Sequence, residues 1–238
     1  VAAVPDADGD GLADVLVGGF RERVGPLFSA GRAYLFSGAG GSHLLTLESP
    51  APSQGAHFGA HVAGLPDVDG DGAGDLVVAA AEEAVLLPGP IYRVAAGQVH
   101  VFSGATGALI RTLASPTPER QGYFGSSVAT LDDVDGDGVD DLAIGALRED
   151  VPGTADAGRA HLFSGATGAF LRTVVSPSPS TTSRFGEHVA AVPDVDGDGR
   201  GDLLVGAFGE EGDAGRAYLF SGATGVLLAS LSSPNAAA

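Results

Sequence analysis

The sequence has no cysteine, methionine or tryptophan, and all twelve of its basic residues are arginine. Without cysteine the chain forms no disulfide and no thiolate metal site. No segment approaches the length of apolar sequence that a membrane-spanning helix needs. The formal net charge is −18, and the arginines form no basic cluster of the kind that binds nucleic-acid phosphates. What remains is an acidic chain of 238 residues, 44% hydrophobic, which is long enough to bury a sizeable core.

A nine-residue pattern, Asp-x-Asp-Gly-Asp-Gly-x-x-Asp, occurs four times along the chain. Its copies cover residues 6–14, 67–75, 133–141 and 194–202, and they start 61, 66 and 61 residues apart. Each copy lies inside a longer unit that also repeats. The spacing therefore indicates four copies of one structural unit.

Each copy of the pattern offers oxygen ligands only. Carboxylates stand at loop positions 1, 3, 5 and 9, a backbone carbonyl is available at position 7, and glycine at position 6 permits a sharp turn. Such a set favours calcium, because magnesium keeps more of its water and demands a rigid octahedron. We therefore predict four calcium sites. Their ligands are Asp6, Asp8, Asp10, the Leu12 carbonyl and Asp14; Asp67, Asp69, Asp71, the Ala73 carbonyl and Asp75; Asp133, Asp135, Asp137, the Val139 carbonyl and Asp141; and Asp194, Asp196, Asp198, the Arg200 carbonyl and Asp202.

The loops differ from an EF-hand, which needs a bidentate glutamate at position 12 and flanking helices. Position 12 here is an aliphatic residue inside a short apolar run, as at Val78 in Leu76-Val77-Val78. Short runs rich in β-branched residues are typical of buried strands. Each calcium loop is therefore predicted to join two strands of a β-hairpin.

Four strands can be written for each unit, and we name them A to D. Strand A precedes the metal loop (57–63, 123–129, 184–190), B follows it, C is a Gly-x-x-x-x-Phe stretch (31–36, 97–102, 158–163, 215–220), and D follows a Ser-Gly-Ala-Thr-Gly turn (108–113). Four strands per repeat predict an all-β fold, a β-propeller with four-stranded antiparallel blades. The blades are expected at about 1–49, 50–115, 116–176 and 177–238, in one domain over 1–238. A linear solenoid is the weaker alternative.

The repeat carries a Phe-Gly, then a Val-Ala, then the acidic loop followed by leucine, then a Gly-Ala, as in residues 185–207. This order resembles the FG-GAP repeat of integrin α-subunit N-terminal propellers. The resemblance implies an extracellular interaction scaffold that is stabilised by calcium and is not an enzyme. The proline that closes the family motif is absent here, and all four loops match, which favours a bacterial-style relative.

The number of blades raises the question of ring closure. Integrin propellers have seven blades, about 51° apart, an eight-bladed ring needs about 45°, and four blades in one ring would need about 90°. We therefore predict that two chains form one eight-bladed ring as a homodimer. A four-bladed monomer and a fragment of a longer natural chain stay open, and the start at Val1 without a signal peptide favours a mature or excised fragment.

Function is expected on the face opposite the calcium loops. Alternating strand direction places the B–C and D–A connections there, and these segments vary between repeats, as binding loops on a rigid scaffold do. The ligand would be a protein or a glycan, in an extracellular or cell-surface setting where calcium is near millimolar. A propeller lectin and an accessory propeller of a larger secreted enzyme are the alternatives.

Several other features receive a structural interpretation. The apolar B–C segment 82–93 is expected to pack its residues Val85, Leu86, Leu87 and Ile91 on its own blade or at a contact between chains, and a lip that binds a partner is the alternative. Asp202 in Arg200-Gly201-Asp202 should face calcium and not an adhesion partner. The equivalent residues Tyr34, His100, His161 and Tyr218 recur in strand C, which favours a structural role in every blade, and a zinc site at His57, His61 and His188 is disfavoured.

Overall fold

The computed structural model describes residues 1–86, 92, 93, 95–210, 212 and 214–234. The chain divides into two compact units, Val1–Ser115 and Pro116–Ala238. Each unit holds two four-stranded antiparallel sheets in the strand order A-B-C-D. The division falls at the predicted boundary between the second and third blades. The prediction of a single domain over 1–238 stays a prediction.

The strands follow the predicted repeat. The first sheet contains β1 (Ala2–Val4), β2 (Asp14–Gly19), β3 (Arg32–Phe36) and β4 (His43–Leu47), and the second contains β5 (His61–Leu65), β6 (Asp75–Ala80), β9 (Gln98–Phe102) and β10 (Leu109–Leu113), with a small sheet of β7 (Val85–Leu86) and β8 (Tyr92–Arg93) inserted. The third contains β11 (Phe124–Leu131), β12 (Asp141–Ala146), β13 (Arg159–Phe163) and β14 (Phe170–Val174). The fourth contains β15 (Phe185–Val192), β16 (Asp202–Ala207), β17 (Arg216–Phe220) and β18 (Leu227–Ser232).

The described residues form strands, turns and irregular segments, with no α-helix among them. The all-β prediction of four-stranded sheets is therefore confirmed, and the four sheets are consistent with propeller blades. No described helix is long and apolar enough to cross a membrane. In the apolar B–C segment, Val85 is buried, whereas Leu87 and Ile91 lie outside the described residues.

Strand A begins later than predicted in the second sheet. The prediction placed its start at residue 57, but β5 begins at His61. His57 has a φ of +54° and Gly59 has a φ of +87°, so the chain passes twice through the left-handed region before the strand starts. Tyr123 and Gly125 of the third sheet have similar positive φ values, but there they form a bulge inside the strand, because Phe124 still pairs with Ala146. In the second sheet pairing starts only at His61 and Ala79.

The core of each unit lies between its two sheets. In the first unit, Leu16 and Leu35 of the first sheet share a buried cluster with Phe58, Leu76 and Phe102 of the second. In the second unit the equivalent cluster is formed by Ala143, Leu162, Phe185, Leu203 and Phe220. One face of a sheet thus packs on the opposite face of its neighbour, in the same way in both units.

The Phe-Gly dipeptide explains how closely two sheets approach. In the second unit, a Cβ atom added to Gly145 would lie 1.9 Å from the carbonyl oxygen of Gly186. A Cβ atom on Gly186, whose φ is +87°, would lie 2.2 Å from the carbonyl oxygen of Arg159. In the first unit, Gly18 and Gly59 meet in the same way. Within each unit, the glycine of the Phe-Gly and the strand-B glycine that it meets are therefore required because two backbones touch there.

The sequence reasoning missed a repeated glutamate, of which two copies, Glu83 and Glu210, lie at the contact between the two sheets of their unit. It stands eight residues after the last aspartate of each loop, and its four copies are Glu22, Glu83, Glu149 and Glu210. In two sheets its partner is histidine: His100 Nε2 lies 2.8 Å from Glu83 Oε2, and His161 Nε2 lies 2.8 Å from Glu149 Oε2. In the other two the tyrosine hydroxyl donates instead, from Tyr34 to Glu22 and from Tyr218 to Glu210. These contacts support the structural role expected for the strand-C position.

A serine from the preceding sheet completes this contact within each unit. The Ser49 hydroxyl donates to Glu83 Oε1, and the Ser176 hydroxyl donates to Glu210 Oε1. Both serines lie two residues after the end of strand D and begin a Ser-Pro dipeptide. A buried carboxylate is costly unless its oxygens are hydrogen-bonded, so the serine and its glutamate specify how two sheets align.

Replacing Gly145 with alanine should destabilise the second unit by about 3 kcal/mol, because the added methyl group would overlap the Gly186 carbonyl. Gly206→Ala is the matched control. Gly206 holds the same position in the fourth sheet, where the nearest heavy atoms to an added Cβ, both of His188, are 3.7 Å away. Urea unfolding with excess calcium measures both variants. Equal losses of stability would show that the close approach does not matter.

Candidate metal centres

The four acidic loops each connect strand A to strand B, and so they lie at the same end of their sheets. In each loop, one carboxylate oxygen from each of three aspartates lies within 4.8 Å of the other two. The triplets are Asp6, Asp8 and Asp10; Asp67, Asp69 and Asp71; Asp133, Asp135 and Asp141; and Asp194, Asp196 and Asp202. Each cluster could therefore hold a metal ion.

The remaining predicted ligands belong to the same loops. Asp14 and Asp75 stand at position 9 of the first two loops, and Asp137 and Asp198 stand at position 5 of the last two. The position-7 carbonyls of Leu12, Ala73, Val139 and Arg200 and the complete ligand sets stay predictions.

Backbone N–H groups orient the first aspartate of each loop. Asp6 is typical: Gly9 N–H donates to its Oδ1 and Gly11 N–H donates to its Oδ2, both at 2.7 Å. The hydrogen bond from Gly11 is the largest cause that holds the pKa of Asp6 below its ordinary value, and the pKa values of Asp67 and Asp194 are lowered in the same way. These carboxylates are therefore ionised at neutral pH, as a cation ligand must be.

The last aspartate of each loop is buried. Asp75 accepts hydrogen bonds from Val68 N–H at 2.8 Å and from Gly104 N–H at 3.1 Å. The pKa of Asp75 is nevertheless raised to about 6, chiefly by burial and to a smaller extent by the nearby carboxylates of Asp69 and Asp71. A hard divalent cation supplies the positive charge that such a crowded, partly desolvated set of oxygens needs, so the residues fit the predicted metal.

The C–D turn of each sheet holds the acidic loop from the other side. In the second sheet, the Ser103 hydroxyl donates to Asp71 Oδ2 at 2.8 Å, while Gly104 donates to Asp75. A Cβ atom on Gly104 would lie 1.8 Å from the Gly74 carbonyl oxygen, so glycine is required there. The equivalent serine contacts in the other sheets are Ser37 to Asp10, Ser164 to Asp137 and Ser221 to Asp198. The sequence reasoning recognised this Ser-Gly segment only as a hairpin turn, although its repetition beside four acidic loops was a usable signal.

In the third loop, a ligand carboxylate is paired with the side chain of an arginine from the fourth loop. Nη1 of Arg200, from the fourth loop, lies 2.8 Å from Oδ2 of Asp133, and the guanidinium lies against Gly136. A guanidinium on a ligand carboxylate competes with a bound metal for the same negative charge. Asp202, the third residue of Arg200-Gly201-Asp202, is fully buried, so the tripeptide does not present its carboxylate to a partner.

The histidines stand apart from these centres. His57 Nδ1 lies 3.0 Å from Glu82 Oε1. Across the part of the chain that the structure describes, each cluster of three or more metal-ligating side chains consists of aspartates alone. The geometry therefore gives no support to a zinc site at His57, His61 and His188.

Replacing Arg200 with alanine should tighten calcium binding at the third loop by about three- to tenfold, because Asp133 no longer shares its charge with a guanidinium. The Gly138 amide resonance reports this loop during a calcium titration followed by NMR, and the Gly72 amide reports the second loop. Arg23→Ala is the control, since it removes the same charge from a side chain that lies over Phe28 in another connection. An unchanged midpoint at Gly138 would contradict the competition.

A family profile and the similar proteins point to the same family. A profile of the FG-GAP repeat matches residues 58–102, 124–163 and 185–220. The chain is 31% identical over 153 residues to integrin alpha-4 of Xenopus laevis, an alignment that covers 61% of the chain and 14% of that integrin. It is 33% identical over 150 residues to human integrin alpha-10, covering 59% of the chain and 12% of the relative.

A third relative, integrin alpha-PS2 of Drosophila melanogaster, is 42% identical over 110 residues, covering 42% of the chain and 8% of that protein. The chain thus spans a small part of the length of these curated relatives. Each of the three matched segments begins at the phenylalanine of a Phe-Gly dipeptide and ends at the phenylalanine of strand C. The chain therefore belongs to the FG-GAP repeat family, and it resembles the integrin α propellers within it.

Proposed function

We propose that this protein is an extracellular interaction scaffold that calcium stabilises and that catalyses no reaction. The observation that carries the proposal is the repeated metal centre. All four loops gather carboxylates at one end of their sheets, and each loop is hydrogen-bonded to the neighbouring C–D turn. In this proposal, the end of each sheet with the acidic loops stabilises the fold, and the opposite end binds a partner.

Calcium is the proposed ion because the donors are carboxylate oxygens on flexible glycine-rich loops. Four sites of this kind favour an extracellular or cell-surface setting, where calcium is near millimolar. Bound calcium would add positive charge at four points of a chain whose formal charge is −18. It would thereby relieve the repulsion among the loop carboxylates.

We propose that the protein is not an enzyme because its two buried glutamate–histidine pairs lie where no substrate can contact them. The Glu83–His100 and Glu149–His161 pairs have the chemistry of an acid and a base, but all four side chains are at most 1% exposed. A substrate cannot reach them. Their repetition in different sheets also differs from the single, unique constellation of an active site.

The recognition surface is proposed at the end opposite the acidic loops. In the second unit, a cleft of about 550 Å³ opens there between the connections of the third and fourth sheets. Its lining combines charge, hydroxyl groups and an exposed ring: Arg148, Asp156, Thr181, Thr182, Arg184 and Phe208. Phe208 is 57% exposed, and the Arg184 guanidinium lies 5.9 Å from its ring centroid. Exposed aromatic and arginine side chains are typical of binding sites.

The proposed ligand is a protein or a glycan. A glycan-binding propeller would repeat its aromatic and polar residues at equivalent loop positions. The position of Phe208 is occupied by Phe20, Ala81 and Leu147 in the other repeats, and this variation favours a protein partner. We further propose that the chain completes an eight-bladed ring as a homodimer.

Binding of the fluorescently labelled chain to an array of glycans and extracellular matrix proteins, with calcium present, tests this function. We expect binding to protein spots that Arg184→Ala weakens about tenfold or more, since the guanidinium lines the cleft. Ala169→Glu is the control: it changes the net charge by the same amount, and Ala169 lies in an exposed C–D turn at the calcium end. Binding that survives Arg184→Ala but is lost in Ala169→Glu would place recognition on the wrong face. Binding to glycan spots alone would favour a lectin.

A further inference from the structure

One face of the fourth sheet is uncovered. Val195 and Leu231 are 55% and 53% exposed. The same positions in the third sheet are Val134 and Val174, which are 2% and 5% exposed because the fourth sheet covers them. We call the first pair, together with the half-buried Leu204 and Leu219, the open face of the fourth sheet.

The opposite face of the first sheet is uncovered as well. Val15 is 37% exposed, whereas Leu203, at the same position in the fourth sheet, is fully buried. The Glu22 side chain is 42% exposed, whereas the equivalent Glu210 is a buried residue at 4%. Val15, Val17, Glu22 and Phe36 form what we call the open face of the first sheet.

These two faces are the two halves of a contact that the molecule already makes twice. Within each unit, the face equivalent to the open face of the fourth sheet packs on the face equivalent to the open face of the first. In both of those contacts a Ser-Pro serine donates to the repeated glutamate, as Ser49 does to Glu83 and Ser176 does to Glu210. Ser233 begins the equivalent Ser-Pro after the fourth sheet, and Glu22 is the equivalent glutamate of the first.

We propose that the open face of the fourth sheet of one copy packs on the open face of the first sheet of a second copy, with Ser233 of one donating a hydrogen bond to Glu22 of the other. The inference rests on the proposed homodimer and assigns its contact surfaces. A second copy is the occupant that fits, because one chain carries both complementary halves. Two copies related by a two-fold axis then cover both open faces of both chains and leave none over.

The energetic argument is the same as inside each unit. Docking covers apolar side chains that are half exposed in the single chain. It also gives the Glu22 carboxylate, which already contacts Tyr34 and Arg32, the serine donor that Glu83 and Glu210 have. In both existing contacts the acidic loops of the two sheets also touch, as the Gly74 N–H donates to the Asp6 carbonyl oxygen at 2.9 Å.

Sedimentation velocity of the full chain with excess calcium, over about 1 to 100 µM, tests the proposal. We expect a dimer whose dissociation constant rises about tenfold or more in Leu231→Asp, because a carboxylate would enter the apolar contact. Leu231 is exposed in the single chain, so this variant should fold, which circular dichroism checks. Val226→Asp is the matched control: Val226 is 60% exposed in the C–D turn of the same sheet, off the open face.

The Ser233–Glu22 pairing has its own test. Ser233→Glu should weaken the dimer about tenfold by placing two carboxylates together, and adding Glu22→Gln should restore the affinity to within about threefold of the original. A dimer that responds equally to Leu231→Asp and Val226→Asp overturns the assigned faces while the homodimer stands. A failure of Glu22→Gln to rescue overturns the pairing. A chain that stays monomeric at the highest concentration overturns the homodimer and its faces together, and leaves the calcium scaffold to its separate test.

Discussion

Repulsion among carboxylates in the four acidic loops is the constraint on which the rest of the structure depends. Each loop brings three carboxylate oxygens within 4.8 Å of one another. Backbone N–H groups offset part of this repulsion, as they do around Asp6, but burial and, to a smaller extent, the neighbouring carboxylates still raise the pKa of Asp75 to about 6. A divalent cation is the natural counterion for such an arrangement. The same loops set the end of each sheet, because they connect strands A and B and hold the C–D turn.

Contacts between sheets depend on a second constraint, which is the approach of one backbone to another. The Phe-Gly of one sheet touches the strand-B glycine of the sheet before it, as Gly186 touches Gly145. In each unit a buried glutamate, Glu83 or Glu210, lies at the contact between the sheets with its strand-C partner, which is histidine in the first unit and tyrosine in the second. A Ser-Pro serine adds the last hydrogen bond. The family dipeptides thus mark in the sequence the positions where two sheets pack closely. The proposed docking of a second copy would repeat the same packing.

Much of the fold and of the metal centres could be predicted from the sequence because each strand and loop pattern recurs four times. Strands B and C were placed correctly since they are apolar runs anchored to a fixed loop and to a terminal phenylalanine. The start of strand A in the second sheet was wrong by four residues, because pairing there begins after the Phe-Gly bulge, whereas in the third sheet it continues across the same bulge to Phe124. The repeated glutamate was missed because its signal is a constant distance from the loop and not a local motif. The role of Arg200 on Asp133 could not be predicted, since that contact joins two residues of different loops that are 67 positions apart in sequence.

Thermal unfolding of the chain in millimolar calcium, in millimolar magnesium and in excess chelator tests the account most directly. A site filled at a hundred times its dissociation constant contributes about 2.7 kcal/mol of stability, and each unit has two such loops. The account predicts a midpoint in calcium that is about 10 °C or more above the midpoint in chelator, with a smaller effect of magnesium. Midpoints that agree within about 2 °C in all three solutions would contradict it, because the acidic loops would then hold their shape without a bound cation.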